Sequence, residues 1–584
     1  MGRAALPVAG QDFGAIADGA APERVLMICP PYQTTALSSL STVLLATYLR
    51  DHNVEVEEAH LHFKMAELLG LEAYQSTANS EQGLLGELLF AEALHGSCPD
   101  RAMEARLTEL FGSRSDRTNL LARFEAHALG VLSEVHPTLV GITTSLNQLL
   151  PAIWLSRIVK RVFPSMCVVL GGSACAEPMG QRVLDSYPEL DFVVSGYGES
   201  PLLALARGAR PTTRLLKSYQ SPNLDDLPIP DYSAFLRDAA LLPQAKVSLC
   251  FESSRGCWWG IKNHCTFCGL NGQEMAFLQK SSDRVVHEIR TLWDRHSMNL
   301  FATDSILSRN HLKDAVPRLA SFESGPILFY EVKANMTASE VTNLRRANIR
   351  AIQPGIESLG PRLLKLLKKG TSTIQNLALL KWCAELGIAV EWNLLCGIPG
   401  ETLADYQEQM ALMAKIPQFS PPATVNPIRI DRYSPYFEDY RGHGWSELRP
   451  FSAYRHLHPT LDEEGLNDIA YHFAGVGGVS TDLYLEPLKD AVDEWQRRCR
   501  AGQGLFLHPD RGLVKNLESG AMRLSAGPLL ERLLERTHEI NRVDRLLAEL
   551  RCKPSVFEQL SEQGILFIED GKVLNLAVRV RRAS

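Results

Sequence analysis

The chain has 584 residues, 45% hydrophobic, 22% charged and 8% aromatic, with a net charge of −7. At roughly 150 residues per domain this length holds about three or four domains, and the composition is that of a packed globular protein rather than a disordered one. The acidic balance offers no electrostatic footprint for nucleic acid, and no apolar run reaches the roughly 18 residues of a membrane span.

Residues 1–23 are rich in Gly, Ala and Pro and read as a flexible leader without the basic start and apolar core of a secretory signal. A cytoplasmic, reducing setting is therefore expected. There, scattered cysteines are mostly small buried hydrophobes.

From residue 24 to 220 strand-like and helical stretches alternate. RVLMICPP (24–31), NVEVEEAHL (53–61), LVGITT (139–144), MCVVLGG (166–172) and DFVVSGYGES (191–200) read as strands, with helical periodicity over 37–50, much of 64–133, and 149–163. Strands joined by helices predict a parallel, Rossmann-like sheet with its ligand beyond the carboxyl ends of the strands. The candidate ligand-binding residues there are Ser145, Gly171, Gly172, Gly196, Gly198 and Glu199. SPNLDDLPIPDY, within 221–245, reads as a linker.

A second series runs over 246–440, with strand-like pieces KVSLCFES, NLFATDS, ILFYEVKAN, IRAIQPGIES, AVEWNLLCGIPG and ATVNPIRIDR. Six β/α units predict a full or partial barrel. Residues 441–526 read as mainly helical. Residues 527–584 read as two helices followed by a hairpin turning at Asp570-Gly571, the order of a winged-helix module.

Of the twelve cysteines only Cys257, Cys265 and Cys268 cluster, in RGCWWGIKNHCTFCGLNG, with C-x7-C-x2-C spacing. Three thiolates at the start of an α/β series suit an iron–sulfur cluster with one iron left open. The spacing alone also admits zinc, with His264 completing a Cys3His set.

This loop resembles that of the cobalamin-dependent radical-SAM methyltransferases of peptide natural-product maturation. GELLFAEALHG (86–96), FATDSIL (301–307), FYEVKANMT (329–337), IQPGIESL (352–359), WNLLCGIPGE (392–401) and RIDRYSPYF (429–437) carry the resemblance further. It implies a [4Fe–4S] cluster on Cys257, Cys265 and Cys268, S-adenosyl-L-methionine (SAM) at its open iron, and cobalamin, carried as methylcobalamin, on the first domain. By motif position, Glu331, Lys333, Asn335, Glu357, Ser358, Gly397, Pro399 and Gly400 are the SAM-binding candidates. Arg255, Gly256, Trp258 and Trp259 shape the cluster loop. No D-x-H-x-x-G motif follows the first strand, so cobalt is expected to take no histidine from the chain, although His60 and His62 lie nearby.

Some members of this group methylate C2 of the tryptophan indole for thiopeptide antibiotics, and others modify a ribosomal precursor peptide. The resemblance implies such a C-methyltransferase, supplied with electrons by a flavodoxin or ferredoxin. Tyr433 is the candidate base at the indole N–H, and Glu274 a candidate ligand to the open iron. A zinc-stabilised cobalamin-binding regulator is the alternative of another class.

Overall fold

The computed structural model describes residues 23–79, 84–96, 101–270, 272, 276–478, 480–524 and 527–580. They form two compact units, one of residues up to Phe251 with Arg449–Ala474, the other of Glu252–Leu448 with Gly475 onward.

The first unit is built on six strands, β1 (Val25–Cys29), β2 (Val56–His60), β3 (Leu139–Thr144), β4 (Cys167–Gly172), β5 (Phe192–Gly196) and β6 (Leu215–Ser218). All pair in parallel, in the order β2-β1-β3-β4-β5-β6. A parallel sheet carries helices on both faces, so its strands read as nearly unbroken apolar runs. Val25, Leu26, Leu139, Val140, Val168 and Leu170 are accordingly buried. The core on one face joins Val25, Met27, Val169 and Val194 to Ala46 and Leu49 of the helix Leu40–Asp51, and to Leu202 and Leu205 of the helix Glu199–Ala206. Among the described residues, five helices, from Leu61–Leu69 to Arg114–Val135, lie in the interval between β2 and β3. The last opens on a capping box, with the Ser113 hydroxyl on the Asp116 N–H and the Asp116 carboxylate on the Ser113 N–H.

In the second unit, strands β7 (Leu300–Ala302), β8 (Leu328–Val332), β9 (Ile349–Pro354) and β10 (Ala389–Val390) pair in parallel. A further parallel pair, β11 (Leu394–Cys396) and β12 (Val425–Pro427), follows. Helices Ser282–His296, Ala338–Arg346, Thr373–Leu386 and Leu403–Met413 alternate with them, giving a (β/α) barrel architecture.

Beyond the barrel come the helix Leu485–Arg500 and an antiparallel meander, Gly504–His508, Gly512–Leu517 and Gly520–Arg523. The tail has helix Pro528–Arg536, a short strand at Asn541–Arg542, helices Val543–Leu550 and Pro554–Glu562, and the hairpin Leu566–Glu569/Lys572–Asn575. That is winged-helix order, and Asp570 and Gly571 both have positive φ (48° and 69°), as a two-residue hairpin turn requires. Buried Lys381, on the barrel helix Thr373–Leu386, donates to His538 O and Asn575 Oδ1, each at 3.0 Å, and so fixes this tail.

Candidate functional site

Two constellations stand out, one in each unit. In the second unit, strands Ser254–Gly256 and Phe277–Gln279 pair antiparallel and close the base of the cysteine loop. Gly256 has φ 80°, and a Cβ there would lie 1.9 Å from Ala276 O, so only glycine allows the two strands to approach. The Asp304 carboxylate pins the start of the ribbon, accepting from the Ser253 N–H (2.7 Å) and from the hydroxyls of Ser253 and Ser254 (2.5 and 2.6 Å). Arg255 reaches both oxygens of Glu252 at 2.8 Å.

Cys257 caps the short helix Trp258–Lys262, its Sγ accepting the Gly260 N–H at 3.3 Å. Burial is the largest influence on Cys265 and Cys268, pushing both thiols up, Cys268 to about 11, and each is raised further by Cys257 close by. Thiols held together against their own ionisation suit a soft cationic centre, whose charge removes that penalty. His264 Nε2 lies 2.7 Å from Cys268 O and is occupied as a donor there, which holds the ring against the cysteine loop.

Around the loop lies a charged cluster. Lys369 Nζ is 2.6 Å from Glu357 Oε2, and Lys333 Nζ donates to Lys369 O at 2.5 Å. Burial alone would lower Lys369, but Glu357 and Cys265 hold it well above the usual lysine range. Burial, then Lys369, depresses Lys333 to about 8. Burial, then Glu357 and Asp304, raises Glu331 to about 7. The Trp259 ring stands 3.6 Å over Lys333 Nζ, and its Nε1 donates to Lys368 O at 3.3 Å. A Cβ on Gly370 would strike this ring at 2.2 Å. Trp258 Nε1 donates to Leu307 O at 3.2 Å. Both tryptophans thus wall the loop.

Of the residues singled out in the sequence, Lys333 and Glu357 converge beside Cys265, and Glu331 lies within reach of the Glu357 carboxylate. Asn335 Oδ1 instead accepts from Arg309 at 2.6 Å. Ser358 is wholly buried, donating to Gln409 Oε1 at 3.1 Å and accepting from the Gly360 N–H at 3.0 Å. Gly397, Pro399 and Gly400 form the turn after β11. Gly397 and Gly400 have φ 74° and 84°, and the turn is organised by buried Glu401, which accepts the Ile398 N–H at 2.7 Å and the hydroxyls of Tyr406 and Tyr484. Tyr433 has φ 69°, a strained conformation for a bulky residue. It precedes the short helix Pro435–Glu438, whose Tyr436 N–H donates to Thr266 O in the cysteine loop at 2.9 Å. Glu274 lies outside the described residues. Asp304 and Glu401 lie inside FATDSIL and WNLLCGIPGE but were not singled out there, and Lys369 lies in none of the quoted motifs. Lys369 sits in KKG, an unremarkable surface-like triplet.

In the first unit, a cleft of about 130 Å³ opens along the sheet. It is lined by Met27, Ser41, Leu45, Gly141, Thr143, Gly171, Gly172, Gly196, Gly198 and neighbouring apolar side chains. Gly172 and Gly196 have φ 117° and 104°, and a Cβ would lie 2.0 Å from Thr144 O and 2.1 Å from Ser218 O respectively, so both serve strand packing. Gly171 differs. Its φ is not in the left-handed region, and a Cβ there would touch nothing nearer than Val194 at 3.7 Å. Its bareness leaves room in the cleft. Thr143 Oγ1 and Thr42 Oγ1, 2.8 Å apart, tie the helix Leu40–Asp51 to the end of β3. Ser145 is not among the lining residues. Its hydroxyl donates to Gln148 Oε1 at 2.9 Å, and Gln148 Nε2 donates to Pro30 O at 2.7 Å. Glu199 is buried at the start of its helix.

In chain order, an open parallel sheet with a glycine-lined cleft is followed by a barrel with three cysteines at its entrance, an α/β architecture with two candidate cofactor sites. Residues 251–413 match the Radical SAM superfamily, whose cofactors are a [4Fe–4S] cluster and SAM. The curated relatives include an uncharacterized methyltransferase of Pyrococcus horikoshii, 22% identical over 49% of this chain and 66% of its own length. They also include the ribosomal protein uS12 methylthiotransferase RimO of Solibacter usitatus, 22% identical over 39% of this chain and 48% of its own length. The chain spans less than two thirds of either relative.

Among solved structures, the radical SAM methyltransferase TsrM from Kitasatospora setae, with tryptophan substrate and a SAM analog bound, superposes with TM-score 0.53 at 17% identity, over 81% of this chain and 88% of that one. The cobalamin-dependent SAM radical enzyme OxsB, with aqua-cobalamin and SAM bound, gives TM-score 0.54 at 14% identity, over 82% of this chain and 67% of that one. These likenesses establish the shared fold. Among the described residues, no helix is long and apolar enough to cross a membrane.

Proposed function

We propose that the chain is a cobalamin- and SAM-dependent C-methyltransferase that methylates C2 of the tryptophan indole in thiopeptide antibiotic biosynthesis. The observation that carries this reading is the pairing, in one chain, of a three-cysteine radical-SAM domain with a glycine-lined cleft along a parallel sheet. The fold likeness to a tryptophan-bound methyltransferase over most of both chains supports the choice of substrate.

Cys257, Cys265 and Cys268 hold the cluster. Gly171 and Gly198 leave space for the nucleotide arm of cobalamin, and the hydroxyls of Ser41 and Thr143 line the same cleft. When bound, the two cofactors supply chelation of SAM and methyl transfer to carbon. Glu331 and Glu357 offer carboxylates to cationic SAM, and Lys333 and Lys369 balance their charge. Tyr433, as its phenolate, takes the indole N–H proton to become the phenol, which leaves C2 nucleophilic towards a methyl cation equivalent without hydrogen abstraction. A cytoplasmic flavodoxin or ferredoxin supplies electrons.

The test is incubation of the reconstituted protein with SAM, methylcobalamin, reductant and free tryptophan, read by mass spectrometry. The expected product is 2-methyltryptophan, absent with Cys268→Ala. The winged-helix order of residues 528–575 favours a second reading, recognition of a precursor peptide. Turnover of a peptide with none of free tryptophan would select it.

A further inference from the structure

Cys29 is the last residue of β1 and His60 the last of β2, and the parallel register sets one opposite the other. His62 follows in the first turn of the helix Leu61–Leu69. One ligand atom from each of the three, the Cys29 Sγ and a ring nitrogen of each histidine, lies within 4.8 Å of the other two. All three residues are buried, with exposures of 0, 2 and 0%. None lines the glycine cleft, and all stand apart in sequence from the cysteine loop.

The hydrogen bonding around them is incomplete in a directed way. His60 Nε2 is 3.3 Å from Glu58 Oε2, and Glu58 is held by Arg50 at 2.8 Å. That contact leaves His60 Nδ1 as the free ring atom, and it has no hydrogen-bond partner. Neither nitrogen of His62 has one. The His60 N–H is anchored on Asp238 Oδ2 at 2.8 Å, which fixes the residue that presents the ring. The rings of Phe63, 4.2 Å from His62, and Phe235, 5.2 Å from His60, wall the group off with apolar surface. A wholly buried imidazole with both nitrogens bare is costly unless something meets it. A carboxylate behind one histidine is the arrangement that orients metal-binding imidazoles.

We infer that Cys29, His60 and His62 form a zinc site at the carboxyl edge of the first sheet. A thiolate and two imidazoles match the borderline softness of Zn²⁺. The ion enters as Zn²⁺, the Cys29 thiol and any doubly protonated imidazole of the pair release a proton to solvent, and S–Zn and two N–Zn bonds form. Three protein ligands leave one tetrahedral position for a water. The ion clasps β1 to β2 and to the start of the following helix.

The full-length protein, reconstituted with iron and sulfide, then incubated with Zn²⁺ and dialysed, is analysed for zinc by mass spectrometry and by X-ray absorption at the zinc edge. The expected result is about one zinc per chain, with one sulfur near ~2.3 Å and two nitrogens near ~2.0 Å. Zinc should survive Cys265→Ala/Cys268→Ala and fall at least about tenfold in Cys29→Ala and in His62→Gln, as loss of a ligand from a three-ligand site requires. The wild-type spectrum decides the matter even where a variant fails to fold. A wild-type protein without zinc, an all-sulfur shell, or zinc that is lost with the loop cysteines and kept in Cys29→Ala overturns the assignment.

Discussion

Glu87 offers a sharp test of how the first unit is held together. It lies on the helix Leu85–His95, 1% exposed, and its Oε2 accepts the Leu150 N–H at 2.9 Å, in the first turn of the helix Leu149–Val162. Its other oxygen has no partner. Burial dominates and, against the Leu150 and Leu149 N–H groups, raises the carboxyl from 4.5 to about 8. Below pH 4.5 the group is protonated whether the chain is folded or not, and the fold keeps its full stability. As pH rises through the window to about 8, the unfolded chain releases the proton while the folded one retains it, so stability is lost at up to about 1.4 kcal/mol per pH unit. Across the window from 4.5 to about 8 the ceiling is about 5 kcal/mol. Glu87→Gln keeps an oxygen for the Leu150 N–H and cannot ionise. Thermal unfolding of the two apoproteins should give similar midpoints at pH 5. At pH 8 the variant should melt higher by about 10 °C, taking about 2–4 °C per kcal/mol. Parallel pH profiles for wild type and variant would refute a buried, protonated Glu87.

Two further perturbations test the cleft and the barrel turn. Gly171→Leu places a side chain where only Val194 stands within 4 Å and strains no backbone, so cobalamin loading, read by its visible absorption, should fall at least about tenfold by steric exclusion while iron content holds. Equal loading of both proteins would show that the cleft does not take cobalamin. Glu401→Ala strips partners from the Ile398 N–H and from two tyrosine hydroxyls. At about 1–3 kcal/mol per buried group left bare, it should cost about 3 kcal/mol or more and weaken SAM binding in equilibrium dialysis. Tyr484→Phe should cost only a part of this, and an Glu401→Ala protein as stable and as tight as wild type would exclude the role of Glu401 in shaping the turn.

Sequence alone determined the kind of chemistry. Cys257, Cys265 and Cys268 are close in the chain, so their spacing is already a local geometry. Strands β1, β3, β4 and β5 were legible because a parallel sheet buried on both faces leaves uninterrupted apolar runs, as in VLMIC and LVGITT, whereas the edge strand β2, VEEAH, lacks such a run and was legible from the alternation in NVEVEEAHL. β6 was not, because LLKS is too short to carry such a run. The glycines of the cleft were visible as turns, but only the folded backbone separates Gly172 and Gly196, which strand packing demands, from Gly171, which leaves space.

Tertiary structure decided which polar groups meet. Lys369 joins Glu357 and Lys333 from a triplet without a motif, and Tyr484 reaches Glu401 across 83 residues. His60 and His62 could be noticed as a pair, but Cys29 joins them only through the register that sets β1 against β2. Such meetings depend on strand order, register and loop closure, and these are set by the burial of the whole core rather than by the residues that meet.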